Sequence, residues 1–277
     1  MNKEDLKVIM VYGSGIGTSK TDKKPGAFTG VSIACPFFKN YIEDENYYRK
    51  CMKKKNLTLL CEFVLDRFDN YLLLIGDSLL QYNFMAFYGM QEEEAMRRAL
   101  KIGGYWFNFC EEEIKEFMPR VEVAKWSDLI KREESMRFVE VVKNYASKNV
   151  VFKAALRAMT ITSIPSEFKE ISKRCRKETL ENALDLATYY SADEIAGLLY
   201  VHEETPFKIY VSKYEPNPLL KAIHGGHYPA LSSQLGLTQY GHLQVSSYDK
   251  KIHCDDEFIE VYNAVKILGN LEGLMRR

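Results

Sequence analysis

No apolar run in the 277-residue sequence approaches the roughly 20 residues that a membrane span requires. The sequence also lacks a charge excess, because 38 Lys and Arg balance 38 Asp and Glu. A nucleic-acid partner would therefore be held by a local basic patch and not by the overall field. The six cysteines, Cys35, Cys51, Cys61, Cys110, Cys175 and Cys254, include no C-x-x-C pair and have no histidine at ligand spacing. That pattern argues against a zinc site and against a disulfide scaffold, and it fits a reducing cytoplasm. The opening stretch "MNKEDLKVIMVYG" passes from charges directly into a short apolar segment with no signal-peptide core, so neither secretion nor membrane insertion is expected. Repeats, low-complexity tracts and linkers are absent as well. With 46% hydrophobic residues, the chain can bury one large core, and a single α/β domain over residues 1–277 is expected.

What is present reads as alternating strands and helices. "VIMVY", residues 8–12, has the form of a strand buried on both faces of a parallel sheet. The glycine-rich "YGSGIGTSK" that follows has Thr18 where G-x-G-x-x-G needs its last glycine, and it does not match the Walker A order. A surface loop is expected there. Helical patterning over residues 37–65 leads to a second buried strand in "NYLLLIGDS", and strand-helix-strand order implies a right-handed crossover and a parallel sheet. Residues 91–119 read as a helix broken at Gly103-Gly104 and then resumed. A strand follows in "RVEVAKWSDL", with Trp126 leading into a helix through Tyr145. Residues 167–200 are helical in pattern, "FKIYVSKY" alternates like a strand, the segment after Pro216 is loop-rich, and a helix is expected near 256–275.

Candidate chemistry starts at "TGVSIACPFF", residues 29–38. Taken locally, Ser32 is as well explained as a helix N-cap as it is as a nucleophile. Ligands of open parallel sheets sit beyond the carboxyl ends of the strands, where the Ser32 loop and Asp77 are expected. Farther on, "ATYYSADEIAGLLY" sets Tyr190 and Glu194 four residues apart, on one helix face. A phenol and a carboxylate so placed can hold an ammonium or relay its proton, although an amphipathic helix has the same spacing. "AMRRALK" places Arg97 and Lys101 on one face and Arg98 about 100° round. It is a phosphate-binding candidate, or a solvated face paired with Glu92 to Glu94.

Taken in order, the Gly-Val-Ser stretch, the Tyr-x-x-x-Glu helix and Tyr214, twenty-four residues past Tyr190, resemble the tRNA-dependent cyclodipeptide synthases. "NYLLLIGDSLLQYNFMAFYGMQEEEAMRRALK", "KWSDL" and the Tyr-Glu-Pro-Asn-Pro stretch are similar to further landmarks of that family. The likeness runs over roughly residues 5–230. It implies a Rossmann-like parallel sheet with helices on both faces, akin to the catalytic domain of class I tyrosyl- and tryptophanyl-tRNA synthetases. It also implies two aminoacyl-tRNA substrates, a cyclic dipeptide product and no nucleotide cofactor or metal. By resemblance Ser32 accepts the first aminoacyl group, Tyr190 and Glu194 orient its amine, and Tyr214 takes part in catalytic hydrogen bonding. Arg97, Arg98 and Lys101 then correspond to the tRNA-binding helix.

The sequence departs from the family pattern at Cys35, where one subgroup has Asn, and at Glu215, where subgroups have His or Pro. The first amino-acid pocket is expected to be lined by Phe28, Gly30, Gly197, Leu198 and Ser212, a mixed set that names no particular side chain. Two other readings remain open. "GVSIA" is one residue short of the G-x-S-x-G elbow of serine hydrolases, Ala34 replacing the second glycine, and all five histidines lie in the last third of the chain as candidate bases. A non-catalytic tRNA-binding module of synthetase-like fold would use Ser32 only as a cap.

Overall fold

The computed structural model describes residues 6–12, 26–31, 54–163, 177–212, 217–237 and 242–247. Its strands form one six-stranded sheet: β1 (Leu6–Tyr12), β2 (Ala27–Val31), β3 (Tyr71–Ile75), β4 (Val121–Lys125), β5 (Ile209–Ser212) and β6 (His242–Ser247), in the order β1-β6-β5-β2-β3-β4. The strands from β6 through β4 run parallel, and β1 joins β6 antiparallel. The described helices are α1 (Lys54–Leu65), α2 (Leu80–Tyr88), α3 (Glu92–Glu113), α4 (Trp126–Leu129), α5 (Glu133–Lys148), α6 (Val150–Ser163), α7 (Lys177–Glu204), α8 (Pro218–His224) and α9 (Pro229–Leu235).

The parallel strands are apolar on both faces because helices cover both. All five residues of "YLLLI" in β3 are buried. Leu72 and Leu74, with Phe28 of β2, meet the core built by α5, α6, α7, α8 and α9. Tyr71 and Leu73, with Ala27, Val121 and Ile209, meet Cys61, Phe63 and Val64 of α1 on the other side. This is the two-faced α/β layering expected of the sequence. Three strands are further tied by hydroxyls: Tyr71 donates to Thr29 Oγ1 at 2.6 Å, and Thr29 donates to the Val211 carbonyl at 2.8 Å.

Several elements differ from the sequence reading. "VIMVY" is not an interior parallel strand but the antiparallel edge strand β1; a short apolar run has the same appearance in either place. Ser32 accordingly follows the second strand and not the first. Gly103 and Gly104 do not break the helix, since α3 runs unbroken from Glu92 to Glu113. The physical reason is a close approach: a Cβ on Gly103 would lie 2.0 Å from Asp77 Cβ, so the glycine lets α3 press against the end of β3. The segment after Pro216 holds α8 and α9 where loop was expected. Asn217 caps α8 by accepting from the Leu219 and Leu220 amides at 2.9 and 3.4 Å, with Pro218 at the first helical position. The helix expected near 256–275 and the glycine-rich loop lie outside the described residues. No helix among the described residues is long and apolar enough to cross a membrane.

Candidate active site

The sheet has one place where the chain reverses its direction of travel. From β2 it proceeds through β3 to β4 on one side, and β5 and β6 lie on the other. The crevice beyond the carboxyl ends of β2 and β5 is therefore the topological switch point, where open α/β sheets bind ligands. Ser32 is the residue after the end of β2, and Tyr214 comes two residues after the end of β5. Ser32, Tyr214, Cys35 and Glu215 themselves lie outside the described residues.

Helix α7 brings Tyr190 and Glu194 to this same end. Its last turns sit at the strand beginnings, where His202 Nδ1 is 3.1 Å from the Lys208 carbonyl oxygen and the ring stands edge-on to Phe28 at 5.0 Å. Five residues earlier, Gly197 meets Trp126 at the carboxyl end of β4; a Cβ there would come within 2.1 Å of the indole Cζ2. The lost side chain lets the helix rest directly on the indole. Glu194 is one turn beyond that contact and Tyr190 another, past the strand ends. Tyr190 is half-buried and packs against the main core. Glu194 keeps some exposed surface, yet burial pushes its carboxyl up to about 7, with no nearby cation among the described residues contributing to hold it charged.

The other expected site residues fall in three places. Phe28 and Leu198 are buried in the core. Gly30 pairs in register with Leu74, and a Cβ on it would meet the Tyr210 hydroxyl at 3.6 Å, so the glycine leaves a small space above that phenol. Ser212 ends β5, in register with Gln244. Arg97, Arg98 and Lys101 lie on α3, away from the core. Arg97 donates from Nε and Nη2 to Glu94 Oε2 at 3.0 and 2.7 Å, and Arg98 Nε bonds Glu94 Oε1. These hydrogen bonds hold the Glu94 carboxyl below its usual range. The paired, solvated face expected of "AMRRALK" is thus present at Glu94, while Arg97 keeps an exposed side chain.

Two carboxylates at this end have partners that the sequence did not show. Asp77 was expected near the ligand end and is there, but wholly buried: its carboxylate accepts from the Ser127 amide at 2.8 Å and the Ser127 hydroxyl at 2.6 Å. It anchors α4 and holds Trp126 in place. Asp193, adjacent to Glu194, accepts from the Tyr82 hydroxyl at 2.5 Å and pairs with Lys143 Nζ at 2.7 Å. The helix carrying Tyr190 and Glu194 is thereby tied to α2 and α5.

No known family model matches the sequence, and no curated protein does. Solved structures do match. A cyclodipeptide synthase from Bacillus thermoamylovorans superposes with a TM-score of 0.63 over 89% of this chain and 98% of its own, at 16% identity. A CDPS from Fluoribacter dumoffii gives 0.62 over 88% and 99%, at 13% identity. The chain has the cyclodipeptide synthase fold. A Mycobacterium tuberculosis protein, whose structure relates cyclodipeptide synthetases to type I tRNA synthetases, aligns at 0.57 over 89% and 95%, with 15% identity. The Rossmann-like, synthetase-related architecture implied by the sequence is therefore present. At identities of 13–16% the fold is shared while few individual residues are.

Proposed function

We propose that this chain is a tRNA-dependent cyclodipeptide synthase working through an aminoacyl-Ser32 intermediate. The observation that carries the reading is the Glu194 carboxyl, one turn from Tyr190 on the helix that passes the carboxyl end of the sheet in a chain with the cyclodipeptide synthase fold, with burial raising its pKa to about 7. An α-amine titrates at about 7.7–8.0. A carboxyl poised just below can pair with the ammonium of a bound aminoacyl group, and it can also accept a proton as the amine becomes a nucleophile.

In the first step Ser32 Oγ attacks the ester carbonyl of one aminoacyl-tRNA. The serine proton passes to the departing ribose hydroxyl, leaving an aminoacyl ester on Ser32. The amine of that residue then attacks the ester of the second aminoacyl-tRNA; an amide forms, a proton is released to the second ribose hydroxyl, and a dipeptidyl-Ser32 results. Its free amine attacks the Ser32 ester, closing the six-membered ring and returning the proton to Oγ. Each bond is made from an ester of comparable or higher energy, so no nucleotide cofactor is required, and the covalent serine divides the synthesis into three acyl transfers. Tyr214 would hydrogen-bond within the same crevice, and Gly30 and Ser212, at the carboxyl ends of β2 and β5, would shape the space for the first side chain, while Phe28 and Leu198, expected to line it, are buried in the core and Gly197 is covered by Trp126. Arg97, Arg98 and Lys101 would contact tRNA phosphates.

Two of the five candidate histidines are removed from the hydrolase reading: His202 is buried at the strand beginnings and His224 meets it edge to face at 5.8 Å, so neither can serve a nucleophile at the opposite end of β2. The test is expression in a bacterial host and mass spectrometry of the medium for cyclic dipeptides, beside Ser32→Ala. Cyclic dipeptides from the parent alone are expected; their absence from the parent, with the protein folded and binding aminoacyl-tRNA, would favour the passive tRNA module.

A further inference from the structure

The Asp193 cluster supports more than the seating of a helix. Tyr189 lies one position before Tyr190 and is 49% exposed, unusual for a large ring beside a reaction centre. Its ring is 6.2 Å from that of Tyr82, tilted by 33°, and Lys143 Nζ stands 5.7 Å from the Tyr189 centroid and 5.9 Å from the Tyr82 centroid. Lys143 is fixed by its 2.7 Å ion pair with Asp193, which is only 7% exposed, and by a 3.5 Å contact to the Tyr82 hydroxyl. The Tyr189 ring is thus braced by an aromatic ring and a cation that contact each other, while about half of the residue remains open to solvent. A pre-set ring of this kind costs little conformational entropy on binding and offers a π-face to any planar partner.

Its position says what that partner is. Tyr189 and Asp193 form one stripe of α7, and Tyr190 and Glu194 form the next, about 100° round. Side chains so related on a helix about 10–12 Å across stand about 8 Å apart, close to the span from a nucleoside's ester oxygen to the far side of its base. We propose that Tyr189, braced by Lys143, Asp193 and Tyr82, is the stacking platform for the 3′-terminal adenine of the aminoacyl-tRNA whose amine Glu194 holds. This rests on the function proposed above. The ammonium of Lys143 also places positive charge at the edge of the stack, within reach of the terminal phosphate, with Asp193 limiting its net field.

The test uses the full chain and two forms of one tRNA, ending in CCA or truncated to CC. Base-aromatic stacking contributes about 1–3 kcal/mol per base, so the parent should bind the CCA form about tenfold more tightly. Tyr189→Ala should lose that preference, and Tyr189→Phe and Tyr189→Trp should retain it. With 2-aminopurine as the terminal base, fluorescence should be quenched on binding to the parent and to Tyr189→Phe, and not with Tyr189→Ala. A Tyr189→Ala protein that keeps both the preference and the quench overturns the platform, as does one that loses affinity for both tRNAs by the same factor. Failure of the parent to bind either tRNA would instead overturn the proposed function. Because Tyr189 is exposed, its replacement should leave the melting temperature close to that of the parent.

Discussion

Gly103 and Gly104 are neighbours in one helix, yet alanine should act on them in opposite directions. In an exposed helix interior Gly→Ala stabilises by about 0.8–1.0 kcal/mol, through helix propensity and the reduced entropy of the unfolded chain. At Gly104 nothing lies within 4 Å of the added methyl, so that gain should be realised. At Gly103 the methyl would stand 2.0 Å from Asp77 Cβ and 3.0 Å from its Cα. Neither atom belongs to a flexible side-chain end, and the Asp77 carboxylate is held by Ser127, so α3 must move off β3. Overpacking of this kind costs about 1–3 kcal/mol or more, and strain on the two Ser127 bonds adds to it. Net destabilisation of about 2 kcal/mol is expected for Gly103→Ala, against about 1 kcal/mol of stabilisation for Gly104→Ala. With an unfolding entropy of about 2.1 cal/mol/K per residue, those values correspond to a melting temperature about 3–4 °C lower and about 1–2 °C higher. Thermal melts and chemical denaturation of the two variants measure the difference. A Gly103→Ala protein as stable as the parent would show that the close approach of α3 to Asp77 does not determine the glycine.

Glu194→Gln should lower cyclic dipeptide formation more than tenfold, because the ammonium loses its charged partner, about 2 kcal/mol of transition-state stabilisation. The same variant carries a stability signature: a carboxyl raised to about 7 in the fold binds its proton more tightly than the unfolded chain does, so its penalty grows as pH rises from about 4.3 to above 7. Glu194→Gln should therefore melt above the parent at pH 8, with the gap closing toward pH 5; a gap independent of pH would contradict the buried carboxyl. On α3, Glu94→Gln should release Arg97 and Arg98 and tighten tRNA binding a few-fold at low salt, whereas Arg97→Ala with Arg98→Ala should weaken it most at low salt. Filter-binding titrations over a range of salt would refute the assignment if neither variant differed from the parent.

How far the sequence could be read follows from the range of each signal. The interior strands were legible because "YLLLI" and its neighbours must be apolar on both faces, and the Tyr190 and Glu194 pair was legible because helix periodicity acts over four residues. The edge position of β1 was not, since pairing with β6 joins residues more than two hundred apart. The Asp193 cluster was hidden for the same reason: its hydrogen bond to Tyr82 spans 111 positions. Gly103-Gly104 was misread because a glycine kept for close packing and one that ends a helix have the same letter. Helices α8 and α9 are a different case, because Asn217-Pro218 and the span from Pro229 to Gly236 contain a usable cap, two first-turn prolines and a glycine stop. The signal was local and present, although His224-Gly225-Gly226-His227, between the two helices, has the composition of a loop.

The strand order also bears on how the protein behaves at high concentration. A sheet that is not closed presents two outer rows of amides, and another chain can add to either. Here one outer row belongs to β4, five residues long with Glu122 exposed and Lys125 at its end. The other belongs to β1, whose pairing shifts register between Val8 and Met10, a local irregularity that twists a strand away from straight continuation. Among the described residues, then, β4 is short and charged and β1 carries Lys7 and an irregular register, so neither margin offers a long, flat, uncharged template on which fibrils grow, and the wholly apolar strand β3 lies inside the sheet. Aggregation from the native state should accordingly be slow, and any that occurs should be preceded by unfolding.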